Sequence, residues 1–225
     1  MVALGREFTE LHPGNLNYPI RALLPQRVRP DVKIWDIKKP PFPLDQKEEG
    51  ACVAHAWAGE LASAPVQFLV DQAWTWKFWQ VVQKQDRLMG NNFGGRGATV
   101  LAGAKAARAV NAVGTFRWAL TIDDILDTLA FYGPVVMGVD WHESMYTTDR
   151  NGLVRVDGPI AGGHCILANQ YYKRHQLFGE CIGLLNSWNT GWGLNGVGFL
   201  RIPELMRLRS ANGEFCVATD VARRS

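Results

Sequence analysis

No stretch of this sequence approaches the ~18 consecutive apolar residues that a membrane-spanning helix needs. The N-terminus, "MVALGREFTELHPGNL", meets Arg6 and Glu7 after a brief apolar run, too short for the core of a secretory signal. The expected setting is therefore cytoplasmic, with association with a virion or another protein complex as the alternative, and no membrane partner. Cysteine is scarce: Cys52, Cys165, Cys181 and Cys216 lie far apart, with no CxxC pair. That spacing argues against a structural zinc site, so neither metal nor other cofactor is expected. In a reducing compartment free thiols are the default. Charge of one sign is missing too. Lys and Arg number 24 against 21 Asp and Glu, a net +3, which gives no reason to expect a nucleic-acid partner. There are no internal repeats and no low-complexity tracts.

The 225 residues are enough to bury a substantial core, and 47% hydrophobic with 20% charged is the balance of an ordinary globule. Trp74, Trp76 and Trp79 crowd one segment, more consistent with core packing than with a ligand platform. Residues 1–44 carry Pro25, Pro30, Pro40, Pro41 and Pro43 and read as an extended, surface-hugging lead-in. "CVAHAWAGELA" reads as a helix starting near Cys52, and "PVQFLVDQAWTWKFWQVVQKQD" (65–86) as a second, opened by Pro65. "GNNFGGRG" (90–97) is a loop, and Thr99 to Ala112 is again helical. Thr121 can cap a helix that stops at Gly133–Pro134. Four β-type runs follow, "PVVMGVDW", "HCILANQYY", "ECIGLLNSW" and "VGFLRI". The fold class is α+β: a helical lobe at about 45–118, a β-rich lobe at about 119–225, and a cleft between them.

Three separated features combine into one chemistry. Cys52 stands at a helix N-terminus after Gly50 and Ala51, where unpaired amides favour a thiolate and small residues leave room around the sulfur. His164 opens a β-run after a glycine pair, and Asn186 ends a strand before Trp188 and a glycine-rich loop. A thiolate, an imidazole and an amide that orients the imidazole make a cysteine-nucleophile triad. Alone, Cys52 would be a small buried hydrophobe. His55 reads as a packed core histidine rather than a metal ligand, and His12, His142 and His175 as loop or surface residues. Cys165 reads as core, facing away from His164. Asp123 and Asp124 are first-turn helix charges, and "GNNFGGRG" lacks the Lys-Ser/Thr ending of a phosphate loop.

From about Asp36 to its end the chain resembles the papain-like cysteine peptidases, of a bacterial or phage type without the usual disulfide and long propeptide. The resemblance rests on Gln46 ahead of "GACVA", on "GGHCILANQYY" and most specifically on "LLNSWNTGWGLNGVGFLRI". It implies a two-lobed fold with a barrel-like C-terminal lobe, residues 1–44 being an extension to a peptidase domain of 45–225. It implies Cys52 as nucleophile, His164 as its base and acid, Asn186 as the group orienting His164, and Gln46 as oxyanion donor. Trp188 would shield the Asn–His bond. Gly94 and Gly95 would border the backbone of a peptide or protein substrate.

The departures are specific. Glu49 stands where a disulfide cysteine is usual, Val53 replaces an aromatic, and Lys47 replaces the glycine after the oxyanion glutamine. His164 follows Cys52 by fewer residues than the ~130–150 usual in papain and the cathepsins, implying trimmed loops. Control of activity then lies elsewhere, or the proline-rich lead-in covers part of the cleft. Three readings stay open: an active peptidase, a catalytically silent binding module, and a transpeptidase that passes the same acyl-enzyme to an amine.

Overall fold

The computed structural model describes residues 3–8, 17–37 and 42–221; His12, Pro40 and Pro41 lie outside them. Helix α1 (Cys52–Ala62) is buried at every position, as its run of small residues permits. Against it pack α2 (Gln72–Leu88) and α3 (Val100–Ala109). The second helix starts at Gln72 and not at Pro65, because Asp71 caps it: its carboxylate accepts the Trp74 N–H at 2.6 Å. Thr99 caps α3 in the same way. Trp57 of α1 is wholly buried and donates its indole N–H to the Val100 carbonyl, filling the space that Gly103 leaves without a side chain. Of the tryptophan-rich segment, Trp79 is buried and Trp74 and Trp76 are half-buried, all against this same core.

The remaining elements are β1 (Val32–Ile34), β2 (Val113–Trp118), α4 (Ile122–Phe131), β3 (Val135–His142), β4 (Ile160–His175), β5 (Gly179–Leu185), β6 (Val197–Arg201), α5 (Ile202–Ser210) and β7 (Glu214–Val221). A full capping box of Thr121 and Asp124 starts α4. The strands form one antiparallel sheet in the order β2-β7-β3-β4-β5-β6, with β1 added on β4. The barrel-like closure expected from the resemblance is not formed. The chain leaves β6 through α5 and re-enters between β2 and β3 as β7, so the edges β2 and β6 stay apart.

The sheet is buried on both faces, and its alternation divides the core in two. Val136, Cys165, Leu167, Cys216 and Ala218 pack toward α1, α2 and α3. Val135, Met137, Val139, Ile166, Ala168, Phe215 and Val217 pack toward α4 and α5, together with Trp141, Trp188 and Trp192. The sequence residues Asp123 and Asp124 do serve the start of α4, Asp124 closing the cap and Asp123 pairing with Arg29. No helix among the described residues is long and apolar enough to cross a membrane.

Glu60 of α1 lies inside the first core. One carboxylate oxygen accepts the Ala218 N–H at 3.0 Å and the other has no hydrogen-bond partner among the described residues, and burial pushes its pKa up to about 8. A carboxyl that holds its proton more tightly when folded contributes stability fully below its unfolded value and loses it as pH rises toward 8. Glu60→Gln removes that titration. Relative to the unsubstituted chain, its denaturant-unfolding free energy should gain up to about 1.4 kcal/mol per pH unit between pH 6 and 8. A difference that stays flat over that range would place Glu60 outside a buried, proton-holding position.

Candidate active site

The loop that carries Gln46 pairs with the loop that carries Asn186. The Gln46 N–H donates to the Ser187 carbonyl at 2.9 Å, and Asp45 bridges Trp188 antiparallel. Ser187 also donates its hydroxyl to Gln46 Oε1 at 2.6 Å, which fixes the other end of that amide as the donor. Lys47 follows with a left-handed backbone (φ 54) and an exposed side chain. A residue there needs positive φ, which is what a glycine would supply without strain. The lysine does not fill the cleft.

His164 Nε2 lies 2.9 Å from Asn186 Oδ1, and the Ser187 N–H donates to that same oxygen at 2.8 Å. An oxygen accepting from both sides settles the tautomer: Nε2 carries the proton and Nδ1 presents a lone pair. Nδ1 has no hydrogen-bond partner among the described residues. The imidazole is enclosed by two indoles, Trp141 at 4.6 Å and Trp188 at 4.8 Å between ring centroids. Trp188 thus packs against the His164 ring. Trp141, one residue before His142 in β3, went unassigned from sequence; its only signal was a place in "GVDWHE".

Cys52 begins α1, and backbone groups of Cys165, Gly5, Val53 and Cys52 itself act on its buried thiol in the direction that lowers its pKa. The amides favour the thiolate, as the helix start predicted, but burial outweighs them and pushes the Cys52 pKa up to about 11. Burial also pulls His164 down to about 4, against a smaller opposing effect of Asn186. In this state both shifts favour the uncharged forms, thiol and imidazole. His55, three residues along α1, is hydrogen-bonded at both ring nitrogens, to the Ala51 carbonyl at 2.9 Å and to Gln72 at 3.0 Å.

The chain's own N-terminal segment contributes to that burial. Ala3–Phe8 runs over the Gln46 and Cys52 segments: the Ala3 carbonyl accepts from Gln46 Nε2 at 3.0 Å, and the Gly5 backbone packs against Gly50, two residues before Cys52. Gly5 accepts from the Ala98 N–H at 2.8 Å, while Arg6 and Glu7 donate to the carbonyls of Gly163 and Ala98, each at 2.9 Å. Residues 3–7 of the lead-in are thus bonded to the Gln46, Ala98 and Gly163 segments. Its β-like partner is Ala98; Gly94 and Gly95, carried over from the resemblance, stand in an exposed turn and make none of these bonds. Close approach is possible because side chains are absent: a Cβ on Gly5 would come within 2.1 Å of the Gly50 carbonyl oxygen, and one on Gly163 equally near the Arg6 carbonyl oxygen.

No protein-family model and no curated protein matches the sequence. Solved structures do match. Xylellain, a cysteine protease from Xylella fastidiosa, superposes with a TM-score of 0.65 at 15% identity, over 98% of this chain and 96% of its own. This is a papain-like fold. The papain-like set extends to digestive procathepsin L2 of Tenebrio molitor, TM-score 0.67 at 15% identity, over 97% of this chain and 78% of that one. It also includes a cysteine protease of Carica candamarcensis solved in complex with E-64, TM-score 0.59 at 15% identity, over 85% and 99%. At such identity the papain-like likeness is one of fold.

If residues 3–8 hold Cys52 unreactive, Gly5→Val should expel them. Alkylation of Cys52 at pH 7.5, followed by peptide mass mapping, should then run at least tenfold faster than in the unsubstituted chain. Cys165, Cys181 and Cys216, all buried, serve as internal controls. An unchanged Cys52 rate would mean that something other than the N-terminal segment buries the thiol.

Proposed function

We propose that this protein is a cysteine peptidase that rests in a latent form, its cleft filled by its own N-terminal segment. The observation that carries the reading is the His164–Asn186 pair at 2.9 Å, with Nδ1 unpartnered among the described residues, in a chain whose Cys52 opens a buried helix. Once a substrate replaces residues 3–8, the Cys52 proton passes to His164 Nδ1, and the sulfur attacks the scissile carbonyl carbon. The oxyanion is held by Gln46 Nε2–H, now bonded to the Ala3 carbonyl, and by the Cys52 backbone N–H. Collapse breaks the C–N bond, and His164 gives its proton to the leaving amine. A thioester on Cys52 remains. Water, deprotonated by His164, attacks it and releases the acid and the thiol. Asn186 keeps Nδ1 aimed by fixing Nε2, and Trp141 with Trp188 keeps water from competing for that bond. Peptide or protein is the substrate class.

A second reading has its own support: with Cys52 raised to about 11 and His164 lowered to about 4, the chain as folded has no working ion pair. On that reading it is a papain-like binding module. Peptide hydrolysis by the Gly5→Val chain decides between the two. A peptidase should cleave, lose all cleavage on Cys52→Ala, and lose about 10²–10³ in kcat on Gln46→Ala. An exposed Cys52 that cleaves nothing favours the module.

A further inference from the structure

His164 is fully buried, yet the proposed reaction has it carry a proton on both nitrogens. A buried imidazolium needs compensation, and the charged side chains nearby are engaged elsewhere. Along β3, Val139 stands opposite His164, Asp140 opposite Gly163 and Trp141 opposite Gly162, so Asp140 points to the other face of the sheet. There it lies 3.4 Å from Arg6, whose guanidinium also pairs with Glu214 of β7 at 2.9 Å. Cys165 of β4 and Cys52 of α1 belong to the core on that other face. On the ring's own face, the acids of α4 are paired with Arg21 and Arg29, and Glu204 of α5 with Arg201. Glu143 and His142 lie past the end of β3's regular pairing, His142 bonded to the Gly158 carbonyl.

What meets the imidazole instead is π surface. Trp141 stands edge-to-face with it at 4.6 Å and 68°, and Trp188 at 4.8 Å and 39°. The sheet register explains the first contact. Gly162, directly across from Trp141, has no side chain, so the indole reaches its diagonal neighbour on the same face, which is His164. Trp188 and Trp192 hold that indole at 5.4 and 6.4 Å, and Trp192 is itself fixed by donating to the Met145 carbonyl. Trp141 is fully buried and its N–H has no hydrogen-bond partner among the described residues, so hydrogen bonding does not account for its placement. An indole attracts a cation within about 6 Å of its centroid, more strongly where water is excluded. We propose that Trp141 is a positioning residue that stabilises the protonated imidazole of His164, as the second wall of a two-indole box. Its role in catalysis rests on the peptidase reading above; its effect on the proton affinity of His164 does not.

The test follows the imidazole nitrogens of His164 by NMR from pH 3 to 8 in the full chain with Cys52→Ala, which removes the thiolate as a counter-ion. Trp141→Leu should lower the His164 pKa by about one pH unit or more, and Trp141→Phe by less, with His55, His142 and His175 as controls. A purely structural role predicts the opposite sign, because looser packing would admit water and raise the pKa. An unchanged or raised value overturns the proposal. Should Trp141→Leu fail to fold, fluorotryptophans incorporated throughout the Cys52→Ala chain withdraw π density with little change of shape. The His164 pKa should then fall with each added fluorine, and fall less in Trp141→Phe; no dependence on fluorine, or none on Trp141, is equally fatal. Restoring Cys52 in the Gly5→Val chain separates the two claims. The ion pair ends when His164 loses its proton, so Trp141→Leu should move the basic limb of the kcat/KM profile to lower pH. A lowered pKa in a chain that cleaves nothing keeps the box and sinks the peptidase reading; cleavage with an unmoved basic limb sinks the box's part in catalysis.

Discussion

Burial of Cys52 is the constraint around which the rest is arranged. The residue opens a helix whose every position is inside the protein, in the core on one face of β4. Amides at a helix start stabilise a thiolate, but desolvation opposes it more strongly when nothing polar is open to solvent. The outcome is set less by the residues around the thiol than by how completely it is closed off from water. Residues 3–8 supply that filling, and they do so with backbone hydrogen bonds that a peptide ligand could equally make.

The segment is held at two levels. Main-chain bonds to Gly163 and Ala98 give it a β-like path, and the Arg6–Glu214 pair anchors it. A buried ion pair adds little net stability over an apolar substitute, yet breaking it by removing one partner costs about 3–5 kcal/mol. Removing the Arg6 side chain would leave Glu214 a buried carboxylate without its cation.

Much of the site could be read along the chain because its parts are local. The cap at Thr121, the helix at Cys52 and the Asn186–Trp188 loop are each written in a few consecutive residues, and the papain-like fold they implied is the one observed. What escaped was set by distant contact. Pro65 looked like a helix start, whereas the cap that works is Asp71. Strands β2 and β7 pair across most of the chain, Val113–Trp118 with Glu214–Val221, and went unassigned. The pocket for Arg6 draws on β3, β4 and β7 at once, and no periodicity in residues 3–8 signals that they leave the surface. The open sheet likewise follows from where α5 returns the chain, not from the pattern of any strand.

The 208 positions that separate Arg6 from Glu214 give the latch an order in time. During synthesis the segment that lies over Cys52 is made well before the strand that holds it. Arg6 therefore has no anchorage until β7 has slotted between β2 and β3, and that same insertion completes the sheet. Masking and completion of the fold become a single event. The chain cannot close its cleft before it has finished building the walls.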